Sequence, residues 1–273
     1  MKFGIALSTF QPKFGRIVFK GNNIEENLKI IKELGYDGVD LFIHHMNEKE
    51  IENLKKLLDV LKLEVPLLVA IFLAEEGINF SDSNEKNRLE SIEKFKKQVI
   101  VAGIFGSKMP VGFIRGNKEE DEAESVYQKR LASSLKELSE FADSKGVKLT
   151  LEPINRYEAN TLLRVDQALD FIDKYNLDKI ELLIDTFHMN IEEFSIEGAI
   201  KMAGSKIGHV HITDSNGRAP GDGHLDYKSI IKTLKEVGYD GYLTSESIPI
   251  PSPYENGRRG IENLKKFLSA TRL

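Results

Sequence analysis

Four residues in the second half of the chain have the types and spacing to do chemistry together: Glu152, Asp185, His211 and Glu246. Each stands directly after a short apolar or β-branched run (residues 147–151, 180–184, 207–210 and 241–245) and is followed by polar, glycine- or proline-containing sequence. Three carboxylates and one imidazole make a mostly oxygen donor set. Such a set suits Mn²⁺, Mg²⁺ or Co²⁺ better than a structural zinc. A bound divalent ion polarises a carbonyl and stabilises the negative oxygen that appears when a neighbouring C–H is deprotonated. A carboxylate beside that carbon can take the proton. Glu152 and Glu246 arrive on different strands, so one could take a proton from one face of a planar enediolate and the other return it to the opposite face. That is epimerisation, and it needs no organic cofactor. Taken singly, each residue has a plainer use. Asp185 suits a cap for the turn after it, and His209, on the same face as His211, suits an interior hydrogen bond. Four together at matching positions point to a metal site.

The elements that must position these residues follow from periodicity. Apolar strand patterns occupy residues 2–7, 38–43, 64–72, 108–113 and the four runs above. Helical patterns separate them at 24–34, 48–61 (with Asn47 as cap), about 84–105, 122–144, 165–175, 196–203, 227–237 and 260–269. Eight strands alternating with eight helices predict βαβ units closed into a single (β/α)₈ TIM barrel, one domain over residues 1–273. The C-terminal strand tips of such a barrel carry its chemistry. The long loop 8–23 follows strand one and holds Phe10, Phe14, Arg16 and Phe19. It is placed at the barrel mouth, with the three phenylalanines as an apolar lid.

Composition narrows the class. The 273 residues are 41% hydrophobic and 30% charged, with a net charge of −5, which suits a soluble enzyme and does not favour a nucleic-acid backbone as partner. Zero cysteines remove disulfides, thiolate catalysis and cysteine-based zinc sites. No apolar run is long enough for a membrane span, and the N-terminus enters a strand pattern without a signal-peptide core, so the expected location is the cytoplasm. Arg115, after strand four, is a candidate to pair with a carboxylate or phosphate at the far end of a substrate; a salt bridge to a neighbouring loop is its plainer reading. His44 and His45 are placed at the mouth. Pro153 and Asn155 are read as shaping the loop after Glu152, and His224 and Asp226 as ordering the loop and helix that follow His211.

Three runs of sequence carry a family resemblance: Leu151-Glu152-Pro153-Ile154-Asn155-Arg156-Tyr157-Glu158, Asp185-Thr186-Phe187-His188-Met189-Asn190-Ile191-Glu192-Glu193 and His209-Val210-His211-Ile212-Thr213-Asp214-Ser215-Asn216. They resemble the ketose 3-epimerases (D-tagatose and D-psicose 3-epimerases) of the xylose-isomerase-like sugar isomerase and epimerase barrels. The runs Val111-Gly112-Phe113-Ile114-Arg115-Gly116 and Ala219-Pro220-Gly221-Asp222-Gly223-His224 look closest to the 5-keto-L-gluconate epimerase branch. The resemblance implies that Glu152, Asp185, His211 and Glu246 bind one divalent ion, usually Mn²⁺, Mg²⁺ or Co²⁺. It also implies that Glu152 and Glu246 are the acid/base pair, that His188 and Glu158 hold the carbonyl-end oxygens of a small sugar, and that the protein forms dimers or tetramers. The family commonly has an arginine directly after the residue matching Asn216; here Gly217 stands there and Arg218 follows, so Arg218 is the candidate for that contact.

An aldose–ketose isomerase, such as a hydroxypyruvate isomerase, or an inosose-type dehydratase would use the same enediolate and differs only in outcome. An endonuclease of the related barrels would need more histidine ligands than six scattered histidines supply. A non-catalytic sugar-binding barrel would have no use for four intact ligands.

Overall fold

The computed structural model describes residues 1–13, 15–21 and 23–271; Phe14, one of the expected lid residues, lies outside them. The chain runs as β1 (Lys2–Ser8), β2 (Phe19–Lys20), α1 (Ile24–Leu34), β3 (Gly38–Phe42), α2 (Glu48–Leu61), β4 (Leu68–Val69), α3 (Phe72–Glu75), α4 (Glu85–Phe105), β5 (Met109–Val111), α5 (Glu124–Ser144), β6 (Leu149–Leu151), α6 (Val165–Lys174), β7 (Ile180–Asp185), α7 (Thr186–Glu192), α8 (Ile196–Ala203), β8 (Ile207–His211), α9 (Tyr227–Glu236), β9 (Tyr242–Ser245) and α10 (Pro253–Ala270). All strand pairs are parallel, in the order β4-β3-β1-β9-β8-β7-β6-β5, with β2 added beside the end of β1. A bridge between Leu67 and Lys108 joins β4 to β5. There Leu68 N donates to Lys108 O at 2.9 Å and Lys108 N to Pro66 O at 3.0 Å. The eight strands other than β2 thus form a (β/α)₈ TIM barrel.

Parallel strands covered by helices are buried on both faces, and β1 shows it, with six of its seven residues buried. The helices that cover them are cut at both ends by ordinary chemistry. Asn47 and Glu50 form a reciprocal capping box at the start of α2. Asn84 caps α4 through its side chain, and Gly106 closes it in a left-handed conformation.

Several elements depart from the sequence reading, among them β2, which lies within the expected loop 8–23. The expected strand 64–72 contributes only Leu68–Val69 plus bridges at Glu64 and Leu67, because Pro66 has no N–H to donate and the chain turns into α3 after Ile71. The last helix begins at Pro253, seven residues earlier than expected, with Ser252 accepting from Glu255 N and proline in the first turn. Its glycines, which signal a loop, are instead where it packs closely: a Cβ on Gly257 would lie 3.3 Å from Ile5 of the sheet, and one on Gly260 3.2 Å from the Tyr36 hydroxyl. In addition, α7 follows β7 directly, where the sequence suggested only a turn. Among the described residues, no helix is long and apolar enough to cross a membrane.

The interior of the barrel holds a polar contact. Asp40 on β3 reaches His209 and His211 on β8, three places away in the sheet order, so the contact crosses the barrel rather than running along it. The weakest part of the wall is the β4–β5 seam, closed by a single bridge, whereas β1 and β3 pair over five residues. Amide hydrogen exchange checks this: Leu68 and Lys108 should exchange well before Asp40 and Phe42, the β3 residues that face β1, since Val39 and Leu41 donate to Glu64 O and Leu67 O on the β4 side. Equal protection at both places would show that helix packing, not strand pairing, sets the local stability.

Candidate metal and substrate site

Glu152 and Glu246 directly follow β6 and β9, and Asp185 and His211 are the last residues of β7 and β8. All four side chains lie buried at one end of the barrel. One donor atom each from Glu152, Asp185 and His211 falls within 4.8 Å of the others. Glu246 Oε2 is 2.8 Å from His211 Nδ1. The four expected residues are therefore brought together.

Backbone chemistry holds these strand ends in place. A Cβ on Gly112 would sit 2.7 Å from Glu152 Oε2, so only glycine leaves that carboxylate room. The Thr213 hydroxyl donates to the Glu246 carbonyl, and the Thr186 hydroxyl donates to Thr213 O at 2.8 Å. These bonds fix β7, β8 and the end of β9 relative to one another. Asp185 divides its two oxygens: Oδ1 accepts from Phe187 N as the cap of α7, while Oδ2 faces the mouth. The capping role and the site role thus coexist in one carboxylate.

The donor set fits a divalent ion. His211 Nε2 donates to Asp40 Oδ2 at 2.9 Å, so in the neutral ring that a metal ligand must be, Nδ1 is the free nitrogen, and it faces the carboxylates. Nδ1 is buried and its approach to Glu246 lacks hydrogen-bond alignment, so it has no partner. A histidine oriented by a carboxylate behind it, with its free nitrogen among acidic oxygens, is how metal ligands are held. A second group with ligand composition, Asp40, His209 and His211, is fully buried beneath the first. There one oxygen, Asp40 Oδ2, already accepts from both imidazoles, at 2.6 Å from His209 and 2.9 Å from His211. It reads as the support of the upper site, and the interior hydrogen bond expected of His209 is present.

Burial and neighbouring charge pull the groups of the metal-free site apart. Burial pushes Glu152 up to about 8, and the charges of Glu246 and Asp185 add to the effect. Burial also raises Glu246, but the charges of His211 and Arg16 bring it below the ordinary glutamate value. His211 is lowered by burial yet held well above its ordinary value by Glu246 and Asp40. One glutamate is thus kept as an acid and the other as a base.

On the substrate side, the Asn155 amide donates to Glu158 Oε1 at 2.9 Å and to His188 Nδ1 at 2.7 Å. Asn155 therefore orients both expected substrate residues and leaves the proton of neutral His188 on Nε2, which points into the mouth 3.9 Å from Glu152 Oε1 and 3.7 Å from Asp185 Oδ2. Burial, followed by the opposing charges of Asp185 and Arg16, leaves His188 below its ordinary value. The two glutamates that end the Asp185–Glu193 run have backbone tasks. Glu192 binds Arg156 through both its backbone N–H and its guanidinium, and Glu193 accepts from Val165 N at the start of α6.

Arg115 corrects an expectation. Its guanidinium is 1% exposed and donates to the carbonyls of Glu152 at 2.6 Å and Thr161 at 2.9 Å. It grips the backbone behind Glu152 and has no face for a substrate. Arg218 is exposed; its backbone belongs to the turn through Asp214 and Asn216, and its guanidinium makes no hydrogen bond or ion pair among the described residues. Phe19 is not part of a lid either, being buried in β2, while Phe10 packs edge-on to His44. His44 and His45 are exposed, with His45 Nε2 2.6 Å from Glu76 Oε1. His224 is exposed, and Asp226 caps α9 as expected.

Sequence reasoning missed Arg16. From the β1–α1 loop its Nη2 donates to Asp185 Oδ2 at 2.8 Å, Nη1 lies 3.7 Å from Glu158 Oε1, and the guanidinium stacks 4.2 Å from the centre of the Phe187 ring. The signal available was an arginine among aromatics in a long mouth loop. Beside Glu152, His211 and Glu246, the wall made by Phe42, Val69, Ile71, Pro110, Phe113 and Ile114 is apolar.

The sequence model of the xylose isomerase-like TIM barrel matches residues 28–267. The chain is 32% identical over 228 residues to the L-ribulose 3-epimerase of Mesorhizobium japonicum, covering 83% of this chain and 76% of that protein. It is 34% identical over 162 residues to the D-psicose 3-epimerase of Enterocloster bolteae, a match covering 59% of this chain and about half, 52%, of that protein. The crystal structure of 3-keto-D-glucoside 4-epimerase from E. coli superposes with a TM-score of 0.81 at 25% identity, over 97% of this chain and 99% of that one.

Glu152 yields a test. It keeps its proton to about pH 8 in the folded metal-free chain, whereas an ordinary glutamate loses it near 4.5. Between those values the folded state binds the extra proton, so this group's contribution to stability declines as pH rises from 4.5 to 8. Glu152→Gln removes the decline. In chelator at pH 8 the variant should melt several degrees above wild type, with the gap closing towards pH 4.5. Equal melting temperatures at pH 8 would contradict the burial argument.

Proposed function

Because the chain belongs to the xylose isomerase-like TIM barrel family, we propose that it is a metal-dependent epimerase inverting the carbon next to the carbonyl of a ketose or keto-sugar acid. That it is a carbohydrate epimerase accords with relatives that are epimerases of D-psicose, L-ribulose and 3-dehydro-D-guloside. The observation that carries the mechanism is the pair Glu152 and Glu246. They stand on strands separated by β7 and β8, with the unpartnered His211 Nδ1 between them.

Glu152, Asp185, His211 and Glu246 would hold the ion, which would polarise the substrate carbonyl and stabilise the charge that develops there. One glutamate takes the proton from the carbon beside the carbonyl, and the other returns a proton to the opposite face. His188, donating from Nε2, and Glu158 hold the oxygens at the reacting end. Asn155 fixes the angle of both, so each is presented without a search for its rotamer. Sugars are small and rich in oxygen, and the mouth offers them donors and acceptors on one side and an apolar wall on the other.

Glu152→Gln and Glu246→Gln should each lower kcat by about 10²–10⁴-fold while the protein still unfolds cooperatively. Near-wild-type rates in either variant would overturn the two-base reading. Exhaustive chelation should stop turnover, and Mn²⁺ or Co²⁺ should restore it. Full activity in the chelated protein would remove the ion from the mechanism.

A further inference from the structure

Arg16 is a cation set among the acidic groups of the mouth by a loop rather than by a strand end. It stands eight residues beyond the end of β1, yet its side chain is only 16% exposed and its charge lies among Asp185, Glu246, Glu158 and Glu152. An ion pair on an open surface would contribute little. This one is desolvated and stacked on Phe187, and it occupies Asp185 Oδ2, the oxygen of that carboxylate not used to cap α7.

Two donors in the site lack an acceptor. Arg16 Nε is buried with no partner. Arg16 Nη2 also comes within 3.5 Å of His188 Nε2, and because His188 Nδ1 accepts from Asn155, both of these nitrogens carry hydrogen. Arg16 Nη2 has Asp185 Oδ2 as acceptor, so it is His188 Nε2, facing a guanidinium, that joins Arg16 Nε in calling for an acceptor supplied from outside the chain.

The loop after β8 shows why the cation comes from β1. Gly217 has a φ of +76°, and a Cβ built on it would lie 3.1 Å from Ile248 Cδ1 and 3.6 Å from Arg16 Cδ. The Arg16 stem therefore lies at contact distance from the place a side chain at 217 would start. A long side chain at 217 and the side chain of Arg16 would compete for space there, and Arg218 next door is turned out to solvent.

We propose that Arg16 binds the substrate in place of an arginine on the β8 loop, and that in the metal-free site it is the resident cation, competing with the divalent ion for Asp185. With Asp185 holding an ion, the guanidinium would part from Oδ2, and its freed donors would share a substrate oxygen with His188. The inference rests on the epimerase reading above.

Three proteins test it: wild type, Arg16→Gln and Arg16→Lys, each first checked for cooperative unfolding in chelator. Mn²⁺ binding is followed by the electron paramagnetic resonance signal of the free ion, and kinetics by turnover of L-ribulose. Removing the competing charge should tighten Mn²⁺ binding in R16Q by about tenfold or more, while R16K, keeping the charge, stays near wild type. Both variants lose the planar fork, so KM should rise about tenfold or more in each with kcat changing far less. Unchanged Mn²⁺ affinity in R16Q overturns the competition, and unchanged KM in both variants overturns the substrate role. A wild type that neither binds Mn²⁺ nor turns over ketoses would instead count against the epimerase reading itself.

Discussion

Negative charge gathered in a water-poor pocket is the constraint around which the mouth of this barrel is built. Glu152, Asp185 and Glu246 are buried together and Glu158 stands beside them, and such a group is costly to desolvate without compensation. The metal-free chain compensates in three ways. Burial and like charge keep a proton on Glu152 to about pH 8; His211 is held well above its ordinary value by Glu246 and Asp40; and Arg16 inserts a guanidinium against Asp185. A divalent ion could take over all three tasks at once. The same residues that are costly to bury together are therefore suited to a cation.

Precision at the mouth comes from backbone contacts behind the visible residues. Arg115 and Gly112 fix where Glu152 leaves its strand, one by gripping its carbonyl and the other by making room for its carboxylate. The Thr186–Thr213–Glu246 chain ties three strand ends together. Glu192 and Glu193 draw the loop after β6 against α7, which places Asn155 to orient His188 and Glu158. The long motif runs are therefore conformational as much as chemical. Only a few of their side chains face the mouth, and the others hold those few still.

The strand-end residues were legible in the sequence because a buried parallel strand reads as an apolar run, and a charged residue at its tip breaks the run visibly. Helix limits were legible wherever caps wrote them, as at Asn47. The extent of β4 was not, since Pro66 shortens a stretch that remains apolar throughout. The start of α10 was hidden because Gly257 and Gly260 look like loop residues until their packing is seen. Arg115 and Arg16 were misjudged for one reason: a long cation's role depends on where its head goes, and that is set by tertiary contacts. One turned inward to carbonyls, and the other reached across the mouth to a residue 169 positions away.

The most direct measurement of the central claim is the exchange of the substrate's own proton. The Mn²⁺-loaded protein would be incubated in D₂O with free ketoses and keto-sugar acids and followed by NMR. Deuterium at the carbon beside the carbonyl, in a product inverted at that carbon, is the result that two opposed glutamates predict. Inversion without deuterium would mean that the hydrogen never exchanges with solvent through either carboxylate, and would contradict the account.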